Sequence, residues 1–173
     1  MSWEAIGALS AALTGVVIAI TAFFGAVQLR QIRAQRRDSA AIELVRSIQD
    51  DAFSHGFRIL LALPAGISGS DLRARGADYE DSSQLMAFRL EMIGWLVHRG
   101  TVSFSVVDEL LGGGVVSMWD RLKGWANETR EAQGYPMFLE WFQWLAEQFE
   151  NRSRLQQTPA HIRNRRWTPP RDL

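Results

Sequence analysis

The 173-residue chain contains no cysteine. This absence excludes a disulfide scaffold, a thiolate zinc site and a cysteine nucleophile. Strand-length runs with alternating apolar and polar residues are also missing, so the sequence gives no β signal. The apolar fraction of 47% excludes global disorder, and the length is that of one domain.

The chain has no net charge, but its charges are segregated along the sequence. Residues 1–29 contain one charged side chain, Glu4, and residues 30–37 contain four, all arginines. Residues 38–150 carry a net charge of −8, and residues 151–173 carry +5. Two basic flanks therefore enclose an acidic body.

Residues 5–29 form an uncharged run of 25 residues. As a helix this run is about 37 Å long, against about 30 Å for the hydrocarbon core of a bilayer. Trp3 lies where an interfacial aromatic residue is expected. A cleaved signal peptide requires basic residues before its apolar region, whereas here they follow it. The run predicts a transmembrane helix.

Basic residues after a span keep that side in the cytoplasm. Arg30, Arg33, Arg36 and Arg37 therefore predict an external N-terminus and a cytoplasmic C-terminal part. Small residues on one stripe of the helix favour close packing with an integral membrane partner or a second copy. The stripe consists of Ala11, Gly15, Ala19, Ala22 and Ala26. Small residues are also common in any span, and this simpler interpretation stays open.

The rest of the chain shows helical spacing of apolar residues. We expect helices over 40–62, 82–98, 103–111, 115–132 and 136–151, with an irregular segment over 64–81. Helix 82–98 is apolar on most sides, which is typical of a central helix with partners around it. Its two apolar rows are Leu85, Phe88, Met92 and Leu96, and Met86, Leu90, Ile93 and Val97. Gly112–Gly113–Gly114 predicts a helix end. The predicted fold is all-α: one N-terminal transmembrane helix followed by a cytoplasmic bundle of about four to five helices.

Three segments follow from these patterns: a span with its basic end over 1–37, a helical domain over 38–151 and a basic tail over 152–173. Several stretches together resemble an uncharacterised family of small bacterial single-pass membrane proteins. These stretches are QLRQIRAQRR, FRLEMIGWLVHRG, LLGG and SMWDRLKGW with a following Arg130. The resemblance implies a cytoplasmic helical domain of unknown function and a location in the bacterial inner membrane. It brings no catalytic residue with it.

No catalytic, cofactor-binding or metal-binding residue is predicted. His55, His98 and His161 lie outside any metal-ligand spacing, although Asp51 and His55 share a helix face. The triple glycine lacks the lysine and hydroxyl residue of a phosphate-binding loop. In the most apolar helix, Glu91 is expected to form an ion pair with an arginine. The candidate partners are Arg99, Arg121 and Arg130.

The basic tail contains Arg163, Arg165, Arg166 and Trp167, which are candidates for docking on anionic lipid or on an acidic partner. A disordered, solvated tail is the simpler alternative. Nucleic acid is not expected as a partner, because the acidic body would repel phosphate.

These features favour a membrane-anchored protein-interaction module, an accessory, assembly or stabilising subunit of a larger membrane complex. A tethered regulator or sensor that acts through oligomerisation of the span is the first alternative. An enzyme with an unrecognised helical active site is the second. A deep polar pocket that includes His55 or Glu91 would favour the enzyme, and exposed Trp or Phe would favour the interaction module.

Overall fold

The computed structural model describes residues 3–155 and 158–168, and within them every regular element is a helix. The all-α class predicted from the sequence is confirmed. In chain order the helices are α1 (Trp3–Ile48), α2 (Asp51–Ala62), α3 (Gly69–Ala74), α4 (Ala77–His98), α5 (Phe104–Gln133), α6 (Glu140–Leu155) and α7 (Ala160–Arg163).

The predicted N-terminal transmembrane helix is wrong. Among the residues that the structure describes, no helix combines the length and the apolarity needed to cross a bilayer. Lack of charge alone is a weak criterion, since 13 of the 25 residues in the uncharged run are Ala, Gly, Ser or Thr. These small residues gain little free energy on transfer into hydrocarbon. The helix α1 continues from this run through the arginine-rich segment to Ile48.

The chain divides into two compact units, residues 1–45 and residues 46–173. The first unit consists of α1 without its last residues, and several of its large apolar side chains, such as Phe23 and Phe24, are exposed. The second unit is a helical bundle around α4, which packs against α2 on one side and α6 on another. Its fully buried side chains include Leu60, Met86, Leu90, Leu122 and Phe142.

Close helix approach in the bundle depends on glycines. A Cβ atom at Gly94 of α4 would collide with the carbonyl group of Trp141 at the start of α6. A Cβ at Gly56 of α2 would lie 2.6 Å from Cγ of Met86 on α4. These two glycines bring α6 and α2 against different sides of α4.

The segment 64–81, expected to be irregular, contains α3 and the start of α4. The backbone N–H groups of Gly66 and Ile67 donate to the carbonyls of Asp120 and Arg121 on α5, at 2.8 and 2.9 Å. Gly124 lies under this loop, where a side chain would collide with the carbonyl oxygen of Gly66. The loop is therefore fixed to α5.

Candidate functional site

The outer face of α4 carries a row of large apolar side chains that are about half exposed. Leu85, Phe88, Met92 and Trp95 are 41, 50, 63 and 46% exposed. Their spacings of three, four and three residues place all four on one stripe of the helix. We name these four residues the α4 seam. An exposed apolar stripe of this kind marks a binding surface more often than a solvated one.

The seam is the side of α4 that the bundle leaves open. Met86, Leu90, Ile93 and Val97, which lie on the other side of the helix, are buried. The expectation that α4 has partners on most sides was therefore only partly right. Of the apolar rows read from the sequence, the row Met86, Leu90, Ile93, Val97 belongs to the core, and the row through Leu85, Phe88 and Met92 faces outward.

Charged residues border the seam at both ends. Asp81 lies four residues before Leu85, and Arg99 lies four residues after Trp95. Both side chains are exposed, and neither takes part in an ion pair within the described part of the chain. The full row therefore begins with an acidic residue, continues through the four apolar residues and ends with a basic residue. It extends over about 27 Å of helix.

The turn between α5 and α6 adds apolar surface next to the seam. The rings of Phe88 and Phe138 meet edge to face, with centroids 6.2 Å apart. Tyr135 and Met137, in the same turn, are both exposed. Arg130 holds this turn in place, because its Nε donates to the carbonyl of Phe138 at 2.8 Å.

Glu91 fixes the angle between α4 and α6. The backbone N–H of Phe142 donates to Oε2 of Glu91 at 2.7 Å, so the carboxylate caps the first turn of α6. Burial raises the pKa of Glu91, and the hydrogen bonds from Phe142 and Trp141 oppose that shift. The expected ion pair with an arginine is wrong, because the amides at the start of α6 satisfy the carboxylate instead.

Arg89, another charged residue of α4, ties this helix to α2. Its Nη2 donates to Oδ2 of Asp50 at 2.7 Å. Asp50 also accepts from the backbone N–H of Ala52, as the N-cap of α2. The hydrogen bond from Arg89 lowers the pKa of Asp50, and the capping bond lowers it further. Glu91 and Arg89, which flank the seam on its two sides, therefore attach α4 to α6 and to α2.

Two open grooves are alternatives to the seam as a binding site. The larger, about 760 Å³, lies between α2 and α5 and is lined by Phe53, Phe57 and Leu110 together with His55. Nε2 of His55 lies 2.9 Å from Oδ1 of Asp78, and both side chains are exposed. The smaller groove, about 560 Å³, lies between α5 and α6 and is lined in part by Glu147 and Glu150.

The two titratable residues that the sequence singled out for a pocket, His55 and Glu91, both have hydrogen-bond partners. His55 is paired at the surface, and Glu91 points to backbone amides rather than into either groove. Within the described ranges, no group of three or more His, Cys, Asp or Glu side chains could hold a metal ion. Glu91 therefore acts as a helix cap, and His55 belongs to a surface pair.

The structure describes the side chains of only some of the N-terminal candidate residues. Gly15, Ala22 and Ala26 of the small-residue stripe are exposed on α1, and so is Arg30. The remaining side chains fall outside the described residues: Trp3, Ala11, Ala19, Arg33, Arg36 and Arg37. A packing or orienting role for these residues stays a prediction.

The tail candidates lie together near a short helix, α7. Arg163, Arg165, Arg166 and Trp167 are all exposed. Arg163 approaches Glu109 of α5, with Nη2 and Oε1 4.0 Å apart. Their use as a docking site also stays a prediction.

Sequence reasoning grouped Leu85, Phe88 and Met92 but assigned the row to the interior. The signal that could have separated this row from the core is its pair of charged ends, since Asp81 and Arg99 continue the same spacing. A helix row that ends in charge on both sides favours exposure. Trp95 was missed as a member because Leu96 fits the same row about as well.

Comparison with known proteins gives one match. The family described as Domain of unknown function (DUF4760) matches residues 9–149. None of the curated proteins and none of the solved structures that were compared matches the chain.

Proposed function

Because the chain belongs to the DUF4760 family, whose description assigns no activity, we propose a function from the geometry of α4. The chain acts as a protein-interaction module, and its binding surface is the α4 seam. This is an accessory or assembly role rather than a catalytic one.

The observation that carries this proposal is the exposure of four large apolar side chains on one stripe of a structurally fixed helix. Covering them would remove a continuous apolar surface from water, which is the main driving force of protein association. Trp, Phe and Met are enriched at the centres of such interfaces. Because Glu91 and Arg89 attach α4 to α6 and α2, the surface is already ordered and loses little entropy on binding.

Site-specific photo-crosslinking in cells tests the proposal directly. A photoreactive phenylalanine analogue replaces Met92 in the seam or, as the matched control, Leu110, an exposed apolar residue on α5. We expect a discrete protein adduct from position 92 and a much weaker adduct from position 110. The adduct from position 92 should disappear when Phe88→Glu is added.

Equal labelling from positions 92 and 110, or no protein adduct from position 92, would contradict the proposal. A folded Phe88→Glu chain, checked by its circular dichroism spectrum, ensures that loss of the adduct reflects the surface and not unfolding. Mass spectrometry of the adduct separates a second copy of this chain from a different protein.

A further inference from the structure

We propose that the α4 seam binds a second copy of this chain, with the two α4 helices antiparallel. The two-fold axis that relates them crosses the seam at the level of position 90 along the helix. This inference rests on the proposed function and names the partner of that surface. It is drawn from the order of residues along the seam.

The seam is complementary to itself when one copy is reversed. Spacings of three and four residues are those of a coiled-coil contact row. Antiparallel pairing about position 90 places Leu85 opposite the partner's Trp95 and Phe88 opposite the partner's Met92. Each layer then joins an aliphatic side chain to an aromatic one, and the methionine sulfur meets an aromatic ring, which is a favourable contact.

The charges at the ends select the antiparallel arrangement. About the same axis, Asp81 lies opposite the partner's Arg99, and the two-fold symmetry repeats this pair at the other end. In a parallel arrangement, Asp81 would face Asp81 and Arg99 would face Arg99, so both ends would repel. Neither residue has an ion-pair partner among the described residues of its own chain, which leaves both available.

The flanks of the seam do not oppose this pairing. Arg89 lies close to the two-fold axis and would approach its own symmetry mate, but Asp50 neutralises its charge within the same chain at 2.7 Å. Glu91 is turned toward the amides of α6. The charges that face the partner without compensation are therefore those of Asp81 and Arg99.

Charge reversal in the full-length chain tests the pairing. The variants are Asp81→Arg, Arg99→Asp and the double variant, and sedimentation velocity over a concentration series gives the dimer Kd. Each single reversal changes two symmetry-related pairs from attraction to repulsion, so we expect Kd to rise about ten-fold. The double variant restores opposite charges at both ends and should return Kd to the original value. Added salt should reduce all these differences.

A wild-type chain that stays monomeric at every concentration would overturn the inference. So would a dimer whose Kd is unchanged by the single reversals and by Phe88→Glu, because that dimer uses another surface. A monomer that still gives an adduct with a different protein from position 92 would overturn the self-pairing and leave the proposed function intact. Dimerisation that is weakened by each single reversal and restored by the double variant supports it.

Discussion

At the residue scale, Glu91 shows how two opposing effects act on one carboxylate. Partial burial disfavours its charged form, whereas two backbone amides of α6 favour it, and the net result is a raised pKa. Nearby Glu140 raises the pKa further, and Arg130 lowers it. The charge is kept in a costly position because it caps α6 and fixes the angle of that helix against α4.

The raised pKa makes a contribution to stability that depends on pH. The folded chain keeps the proton of Glu91 in a range where the unfolded chain, with an ordinary pKa of about 4.3, has lost it. Stability from this group therefore decreases as pH rises through that range, and it recovers as pH falls. We predict that the Tm of the wild type minus that of Glu91→Gln becomes more positive as pH falls from neutral to about 4.5.

Glu131→Gln is the matched control, because it removes an exposed carboxylate from α5. A pH-independent Tm difference for Glu91→Gln, or the same slope for both variants, would contradict the assignment. Glu91→Ala also removes the cap acceptor, so thermal or urea unfolding should show it less stable than Glu91→Gln by about 1 kcal/mol.

Residue-level roles were the part least accessible to sequence reasoning. The sequence marked Glu91 as unusual, since it lies in the most apolar helix. Its partner could not be identified, because the partner is a pair of backbone amides about 50 residues away in the chain. Side-chain composition carries no information on which helix end will lie beside a given carboxylate.

At the scale of elements, α5 is the helix that differs most from the sequence expectation. It continues from Phe104 to Gln133 through Gly112–Gly113–Gly114, which we expected to end a helix. Glycine lowers helix propensity by roughly 1 kcal/mol each, but packing overrides this preference. Gly114 faces the ring of Phe57 on α2, where a Cβ would lie 3.0 Å from Cε2, so a small residue is needed there.

Of the three glycines, Gly113 differs from Gly124 on the same helix, because it does not lie at a close contact. A Cβ atom at Gly113 would meet nothing within 4 Å, so Gly113→Ala should stabilise the helix by about 0.5–1 kcal/mol. Gly124→Ala should destabilise the fold, because the loop carbonyl of Gly66 occupies the space. Urea unfolding of both variants measures the two effects. A Gly113→Ala variant less stable than the wild type would show that this glycine has a role beyond propensity.

Helix positions were predicted well where apolar spacing and a clear end signal agreed. Pro64 follows the end of α2, and Gly100 follows α4, as expected. The 40–62 helix was wrong in its first part, since α1 ends at Ile48 and Asp50 caps a new helix. The short helix α3 was missed. Glu128, far along the chain on α5, accepts from the N–H of Gly69 at 2.6 Å and so caps α3 from outside its own segment.

At the scale of the whole molecule, the all-α class followed from periodicity, but the transmembrane interpretation of residues 5–29 did not hold. A charge count does not measure apolarity. The sequence shows the spacing of the apolar residues in the α4 seam, but it does not show that they are exposed. Their exposure depends on which faces of α4 the other helices occupy. That arrangement is set by contacts such as Gly94 with Trp141 and Gly56 with Met86.

Disulfide trapping tests whether two copies of the chain pair through the α4 seam, and it is a direct measurement because the chain has no cysteine of its own. Chains carrying Asp81→Cys and Arg99→Cys are purified, mixed and oxidised, alone and together. Antiparallel pairing brings these two positions together across the two-fold axis, whereas two copies of either position are about 27 Å apart along the helix. Antiparallel pairing therefore predicts a cross-linked dimer from the mixture and almost none from either variant alone. Cross-linking of each variant with itself, or none in the mixture, would contradict it.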